Sequence, residues 1–263
     1  MVITAATDTE RSDRVKYSLT DLHTHILPQF DDGADSLETA WEMLRVQKRS
    51  GVDRVMLTSH FYPLREELDS FLERRQLAYS ELLSGWDAET MPELRLGAEV
   101  RYSAELLDMD LRQVTLGESD YLLLELSDTR LPSHIRDVAD GMMMQGITPV
   151  LAHVERCTYF RKEPDRLLEL ISMGVLAQVS AKVLKDKEDK KFAKACLDNG
   201  LAHVIVSDAH GLKHRTPCLG SVTADAEPET IERAEKIARA VWNNETVPPF
   251  PVYGIKKTLF GYK

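Results

Sequence analysis

Residues 145–152, Gln145-Gly146-Ile147-Thr148-Pro149-Val150-Leu151-Ala152, set a glycine directly before a run of apolar and β-branched residues. Glycine tolerates the left-handed backbone that closes a helix, so it marks a helix C-terminus from which a strand departs at once. The same junction recurs at Gly51 before ValAspArgValMetLeuThr, at Gly174 before ValLeuAlaGlnVal and at Gly200 before LeuAlaHisValIleVal. Repetition of helix, glycine and strand predicts an α/β fold with a parallel sheet. Working outward, strands are expected over 19–26, 53–60, 94–101, 121–127, 147–154, 175–180 and 202–208. Helices are expected over 35–49, 66–84, 104–111, 132–145, 164–173, 186–199 and 228–242, the first opening with Asp35 and Glu38 at capping-box spacing. Uniformly apolar runs such as YLLLELS suit strands covered on both faces. No linker interrupts the pattern, so residues 19–263 are read as one barrel-like domain preceded by a polar, flexible extension at 1–18.

Composition narrows the function classes. The chain has 263 residues, 43% hydrophobic and 29% charged, enough to bury a core and unlike a disordered polypeptide. Its 33 Lys and Arg against 43 Asp and Glu leave a formal charge of −10, which argues against a polyanion partner. The lysine cluster from Lys182 to Lys194 is interrupted by Asp186, Glu188 and Asp189 and reads as a solvated helix face, so no nucleic-acid role is expected. Cys157, Cys196 and Cys218 form neither a pair pattern nor a C-x-x-C, which speaks against a disulfide framework and for a reducing compartment. No apolar run reaches the ~18 residues of a membrane helix, and the polar start lacks the apolar core of a signal peptide. A cytoplasmic protein without membrane insertion is expected.

Residues with metal-ligand chemistry fall at one place in each unit. His23 and His25 end the first expected strand, His60 the second, Glu99 the third, Glu125 the fourth, His153 the fifth, and Asp208 with His210 the seventh. In a parallel α/β barrel the C-terminal strand ends converge on one face, where the chemistry of such enzymes sits. The i, i+2 spacing of His23 with His25 and of Asp208 with His210 puts each pair on one face of an extended strand, which is chelating geometry. Asp32 follows in the turn PheAspAspGlyAla, where Gly33 permits a bend that folds a carboxylate back over the strand ends. Imidazoles and carboxylates without thiolate suit Mn²⁺, Fe²⁺ or Zn²⁺. Nine such residues exceed one ion's coordination, which implies two or three ions sharing a bridging carboxylate. Singly, each would be read as a hydrogen-bonded core histidine or a helix N-cap. Their coincidence, five of eight histidines at or near strand ends on one face, carries the metal reading. His134, His203 and His214 are read as helix-start, mid-strand and loop residues.

The segments AspLeuHisThrHisIleLeuProGlnPheAspAspGlyAla (21–34), ThrSerHis (58–60), GlyAlaGluVal (97–100), ThrProValLeuAlaHisValGluArg (148–156) and ValSerAspAlaHis (206–210) make the chain recognisable. In order and spacing they resemble the bacterial protein-tyrosine phosphatases of capsule and exopolysaccharide operons, within the polymerase and histidinol phosphatase (PHP) superfamily. The likeness runs from about residue 19 to the end. It implies a distorted (β/α)7 TIM-like barrel carrying three divalent ions, usually manganese. It also implies that His23, His25, Glu99 and Asp208 hold one ion and that Glu99 bridges to a second held by Glu125 and His153. Asp32, His60 and His210 hold the third, Asp32 being preferred to Asp31 because the superfamily's ligand directly precedes the glycine. Arg156 and Arg215 match phosphate-contacting positions, although an arginine in the place of Arg215 also suits a surface ion pair. Two departures touch the pocket: Cys157 stands where the family commonly has Tyr, and Ser180 where it has Asn. The loop HisGlyLeuLysHisArgThrPro differs locally as well.

Phosphomonoester hydrolysis needs a nucleophile, neutralised phosphate charge and help for the leaving oxygen. The resemblance implies attack by a metal-bridging hydroxide on phosphotyrosine, the substrate being a bacterial tyrosine autokinase that controls polysaccharide synthesis. No cysteine nucleophile is expected. The arginine that cysteine-based phosphatases carry six residues after the thiol is replaced by Glu163, Ala202 and Ala224 after the three cysteines. The general acid stays open between Asp208 and a metal-bound water, and a phenol leaving group of pKa ~10 needs little help. The alternatives are a PHP-type small-molecule phosphatase, such as one for histidinol phosphate, and a catalytically silent phosphopeptide-binding regulator.

Overall fold

Gly51, Gly146, Gly174 and Gly200 take φ of 92°, 74°, 107° and 74°, the left-handed region that the sequence junctions called for. The computed structural model describes residues 18–185, 190–223, 227–258 and 261–262. The expected extension at 1–18, apart from Ser18, and the start of the expected helix at 186–199 lie outside the described residues. The elements run β1 (Leu19–Thr24), α1 (Leu37–Arg49), β2 (Val52–Leu57), β3 (His60–Phe61), α2 (Leu68–Leu83), β4 (Glu93–Leu96) and β5 (Glu99–Arg101). Next come β6 (Tyr121–Glu125), α3 (Ile135–Met144), β7 (Thr148–Leu151), α4 (Thr158–Lys162), α5 (Asp165–Ser172), β8 (Leu176–Ser180) and α6 (Lys190–Asp198). The chain ends through β9 (Val204–Val206), α7 (Leu219–Thr223), α8 (Pro228–Trp242) and the short hairpin β10 (Lys257–Thr258) and β11 (Gly261–Tyr262).

All pairings from β1 to β9 are parallel, in two sheets ordered β1-β2-β4 and β3-β5-β6-β7-β8-β9. The wall curls until its ends meet. Thr24 forms an isolated parallel bridge with Ala209, and the His25 amide donates to the Ala209 carbonyl at 2.8 Å. The α/β barrel expectation therefore holds, with two corrections. The expected continuous strands 53–60 and 94–101 each break in two. At the first break Thr58 turns to β1, its amide donating to the Thr24 carbonyl at 2.9 Å while its hydroxyl accepts from the Thr24 amide at 3.0 Å. At the second, the Gly97 amide still reaches Leu57, but the Glu99 amide has moved on to the carbonyls of Thr58 and Ser59. The steps pass the chain from one sheet to the other and aim His60 and Glu99 at the strand ends.

The first helix is capped by Ser36, whose hydroxyl accepts from the Thr39 amide at 3.1 Å, and not by the expected Asp35 and Glu38 box. Asp35 instead accepts from the Thr39 hydroxyl. The expected helix 104–111 resolves into two 3₁₀ turns, Ala104–Asp108 and Leu111–Val114.

Two apolar clusters hold the fold. Outside the wall, Ala40, Met43 and Leu44 of α1 and Leu167, Leu170 and Ile171 of α5 are buried among the strands and their neighbours. Inside, Leu22, Met56, Leu123, Val150, Val204 and Val206 pack with Ile237, Val241 and Trp242 of α8. Each fully buried side chain of this kind contributes about 1.5–3 kcal/mol. Glu235 of α8 accepts from the amide and hydroxyl of Thr20 at the start of β1. Helix α8 thus seals the end where β1 begins and leaves the C-terminal strand ends open.

Candidate metal centre

At that open end His23 of β1 and His25 just beyond it point together, in keeping with their i, i+2 spacing. The Nε2 atoms of His23 and His25 lie 3.0 Å apart, and Glu99 Oε2 lies 3.2 Å from each. Glu99 is the hub. His153 Nε2 meets its Oε1 at 2.8 Å, and His60 Nδ1 lies 3.1 Å from its Oε2. Beside them, Asp32 Oδ1 sits 3.4 Å from both His60 Nε2 and His210 Nε2. Asp208 Oδ1 is 3.6 Å from His23 Nε2. Glu125 faces His60 and Glu99 while pairing with Arg101 at 3.0 Å.

All nine expected ligand residues therefore converge, from seven separate segments of chain. Among the described residues, three sets have donor atoms within 4.8 Å of one another: His25, Asp32, His60 and His210; His23, His25 and Glu99; and His60, Glu99 and Glu125. These sets share members differently from the sequence expectation. His60 reaches Glu125 as well as Asp32, and His25 belongs to two sets, while His153 and Asp208 meet the cluster outside all three.

The donor set fits divalent ions on the structure's own terms. Glu99 Oε2, Glu125 Oε2, His60 Nδ1, His153 Nδ1 and His210 Nε2 are buried without a hydrogen-bond partner. A buried polar atom left unsatisfied costs about 1–3 kcal/mol, so imidazoles and carboxylates crowded this closely without hydrogen bonds between these atoms call for a cation or its water. His25 donates its Nδ1 hydrogen to Asp31 Oδ2 at 2.9 Å, which turns the Nε2 lone pair inward as a metal ligand needs.

Electrostatics follow from the crowding. Burial opposes charge on His25, but Asp31 and Glu99 overcome it and raise its pKa to about 10. Burial and the neighbouring His25 charge push His210 down to about 3, and burial also lowers His60. Despite burial, Glu99 is held well below the usual carboxylate range by His23 and His153. Asp208 is held low in the same way by His23, Arg156 and Arg215.

Both expected arginines reach the site through Asp208. Arg215 Nη2 donates to Asp208 Oδ1 at 2.6 Å, and Arg156 hydrogen-bonds Asp208 Oδ2. Their side chains remain about one-third exposed, so they form the mouth. Ser180, one of the family departures, lies beside Arg156 at 3.5 Å. The other, Cys157, is buried, accepts from the Tyr159 hydroxyl and has its thiol pushed up to about 12, which leaves no thiolate to attack. The backbone is held under strain here. His153, Asp208 and Arg215, three of the five non-glycine residues with positive φ among those described, take φ of 32°, 52° and 48°. Such conformations cost about 1–3 kcal/mol and cluster where function over-determines them.

Sequence reasoning passed over the residues that orient the ligands. Asp31 accepts from His25 Nδ1, from the His60 amide at 3.0 Å and from the Gly33 amide at 3.0 Å. Gln178 hydrogen-bonds His23 Nδ1. Buried Asp21 accepts from the Ser207 amide and from Gln47, tying β1 to the segment after β9. The AspAsp doublet before Gly33 was a visible signal; an inward glutamine on β8 was a weaker one.

A family model described as capsular polysaccharide synthesis, CpsB/CapC, matches residues 19–241. The chain belongs to the CpsB/CapC family. CpsB of Streptococcus pneumoniae, a tyrosine-protein phosphatase, is 32% identical over 215 residues, covering 75% of this chain and 85% of that protein. YwqE of Bacillus subtilis, a tyrosine-protein phosphatase as well, is 28% identical over 257 residues, covering 92% of this chain and 99% of its own. A crystal structure from work on YwqE and S. pneumoniae CpsB, described as metal-dependent tyrosine phosphatases, aligns with a TM-score of 0.79 at 25% identity. It covers 90% of this chain and all of that one. A phosphotriesterase homology protein of Escherichia coli shares the fold alone, with a TM-score of 0.53 at 10% identity over 84% of this chain and 98% of that one. The CpsB/CapC assignment agrees with the sequence resemblance. Among the described residues no helix is long and apolar enough to cross a membrane.

Proposed function

We propose that this chain, a metal-dependent tyrosine-protein phosphatase of the CpsB/CapC family, removes phosphate from tyrosine on a bacterial autokinase of polysaccharide synthesis, using three manganese ions. The observation that carries the reading is Glu99, a buried carboxylate ringed by His23, His25, His60 and His153, whose Oε2 lies 3.1–3.2 Å from three imidazole nitrogens without a hydrogen bond to any of them. His23, His25, Asp32, His60, Glu99, Glu125, His153, Asp208 and His210 are the residues proposed to hold the ions. When bound, such ions supply Lewis-acid neutralisation of phosphate charge and a water acidic enough to deprotonate near neutral pH.

The protein's own groups do the rest. Arg156 and Arg215, partly exposed and anchored on Asp208, present planar guanidiniums that fork onto phosphate oxygens and favour the charge that develops in transfer. Asp31 and Gln178 keep the His25 and His23 rings aimed inward. Asp208 lies against both arginines and His23, which hold it as a carboxylate, so it anchors the two guanidiniums at the mouth and is not the proton donor to the departing phenolate.

The test is hydrolysis of a phosphotyrosine peptide, with histidinol phosphate as the competing substrate. Activity should need Mn²⁺, vanish with chelator, return on manganese addition and survive thiol alkylation. Full activity in His153→Ala, or after complete chelation, would show the site to be wrong. Faster turnover of histidinol phosphate would favour the small-molecule reading.

A further inference from the structure

Beside the metal-ligand cluster a cleft of about 400 Å³ opens at the ends of β3 and β5, lined by Tyr62, Pro63, Leu64, Arg65, Arg101, Tyr102 and Ser103. It begins one ring away from the candidate ligands. The Tyr62 ring stacks on His60 with centroids 5.2 Å apart, and the Tyr102 amide donates to the Glu125 carbonyl. Its rim is preformed. Tyr62-Pro63-Leu64-Arg65 is a β-turn closed by the Arg65 amide on the Tyr62 carbonyl at 2.9 Å, with proline at the position where its fixed φ suits the turn. The turn carries Leu64 outward, 70% exposed, and lays the Arg65 guanidinium over the Tyr62 ring at 5.2 Å. Arg101 faces the same space from the other side, paired with Glu125 through one of its nitrogens. Two guanidiniums, Arg65 over the Tyr62 ring and Arg101 across from it, line this cleft on a chain of net charge −10 and make a cationic notch in an acidic surface. None of these side chains is needed to hold an ion or to reach the phosphate.

We propose that this cleft is the subsite for an acidic side chain of the substrate polypeptide next to its phosphotyrosine, with Arg65 as the specificity-determining residue. The inference rests on the phosphatase reading above and adds what that reading lacks, a basis for choosing among phosphotyrosines. A carboxylate entering the cleft meets Arg65 and Arg101, while the aliphatic part of its side chain lies on Tyr62 and Tyr102. A lysine in its place would meet two like charges.

The experiment uses matched phosphotyrosine peptides carrying Glu, Gln or Lys at each of the three positions on either side, with the full manganese-loaded chain. An exposed charge contact of this kind is worth up to about 1 kcal/mol, or roughly fivefold. Wild type should therefore favour Glu over Gln at one position by about that factor in kcat/KM, mostly through KM. Arg65→Ala should bring that ratio close to one, and Arg65→Glu should reverse the preference in favour of Lys. Equal rates on all three peptides in wild type, or an unchanged ratio in Arg65→Ala, would overturn the subsite and leave the phosphatase reading standing. Hydrolysis of none of them would overturn both.

Discussion

Replacing Asp31 by Asn keeps shape and removes charge, and the surroundings of that carboxylate set the size of the effect. Oδ2 accepts from His25 Nδ1 at 2.9 Å and from the His60 amide at 3.0 Å, and Oδ1 accepts from the Gly33 amide at 3.0 Å. An amide has one acceptor oxygen. Whichever way it is turned, its NH₂ faces at least one N–H donor, and the charge assistance to His25 is gone. One buried donor without an acceptor costs about 1–3 kcal/mol of metal-free stability. The larger effect falls on the ligand ring: without Asp31, His25 loses the partner that fixes its tautomer and aims Nε2 inward. Losses of this kind weaken metal binding by about 10–100-fold, or roughly 1.4–2.7 kcal/mol. Calorimetric titration of the metal-free protein with Mn²⁺ should show that weakening with the number of bound ions unchanged. Asp32→Asn, altering a proposed ligand, should instead lower the number bound. Manganese affinity within about twofold of wild type in Asp31→Asn would refute this account of how His25 is held.

Three other outcomes are expected. In Gly33→Ala the new Cβ would lie 2.0 Å from the His25 carbonyl oxygen, so the 31–34 turn must shift away from β1. The variant should fold with reduced manganese content, and wild-type content measured by atomic absorption would contradict that. His203 is buried with Nδ1 accepting from the Ala177 amide, and burial with the Arg233 charge lowers its pKa from 6.5 to about 4. Because the folded value is depressed, its stabilisation is complete above about pH 6.5 and is lost as pH falls toward 4, a total of about 3 kcal/mol. Denaturant unfolding of wild type and His203→Asn should diverge in slope across that window and run parallel above it; parallel curves throughout would remove His203 as the cause. Arg215→Ala should lower kcat/KM on phosphotyrosine peptide by about a hundredfold, as loss of one preorganised charge donor does. A change under tenfold would place Arg215 outside the phosphate site.

Much of this was legible in the sequence because it depends on short-range rules. Four glycines before apolar runs marked helix ends, and the two-residue spacing of His23 and His25 put their Nε2 atoms 3.0 Å apart. What was not legible depends on register between segments far apart in the chain. The breaks after Leu57 and Leu96 arise because Thr58 and Glu99 find partners across the sheets, which no local pattern announces. Asp31 and Asp32 are adjacent and chemically identical. Only the fold of the turn puts one against His25 and His60 as an orienting acceptor and the other between His60 and His210. The sharing of His60 and His25 among ligand sets, and the pairing of Arg101 with Glu125, likewise wait on three dimensions.

The seam between β1 and the residues after β9 has a consequence for biosynthesis. The Thr24–Ala209 bridge joins the first strand of the wall to the segment that follows its last, and Asp208, His210 and Arg215 all lie on the late side. A nascent chain holds His23 and His25 for some 180 residues of elongation before the residues that complete their surroundings exist. Long-range closure of this kind is slow compared with local helix formation. The cluster is therefore complete only once the chain through Arg215 has been made. A chain stalled or cut before Asp208 carries most of the imidazoles and carboxylates but can neither close the wall nor assemble the arginine-lined mouth.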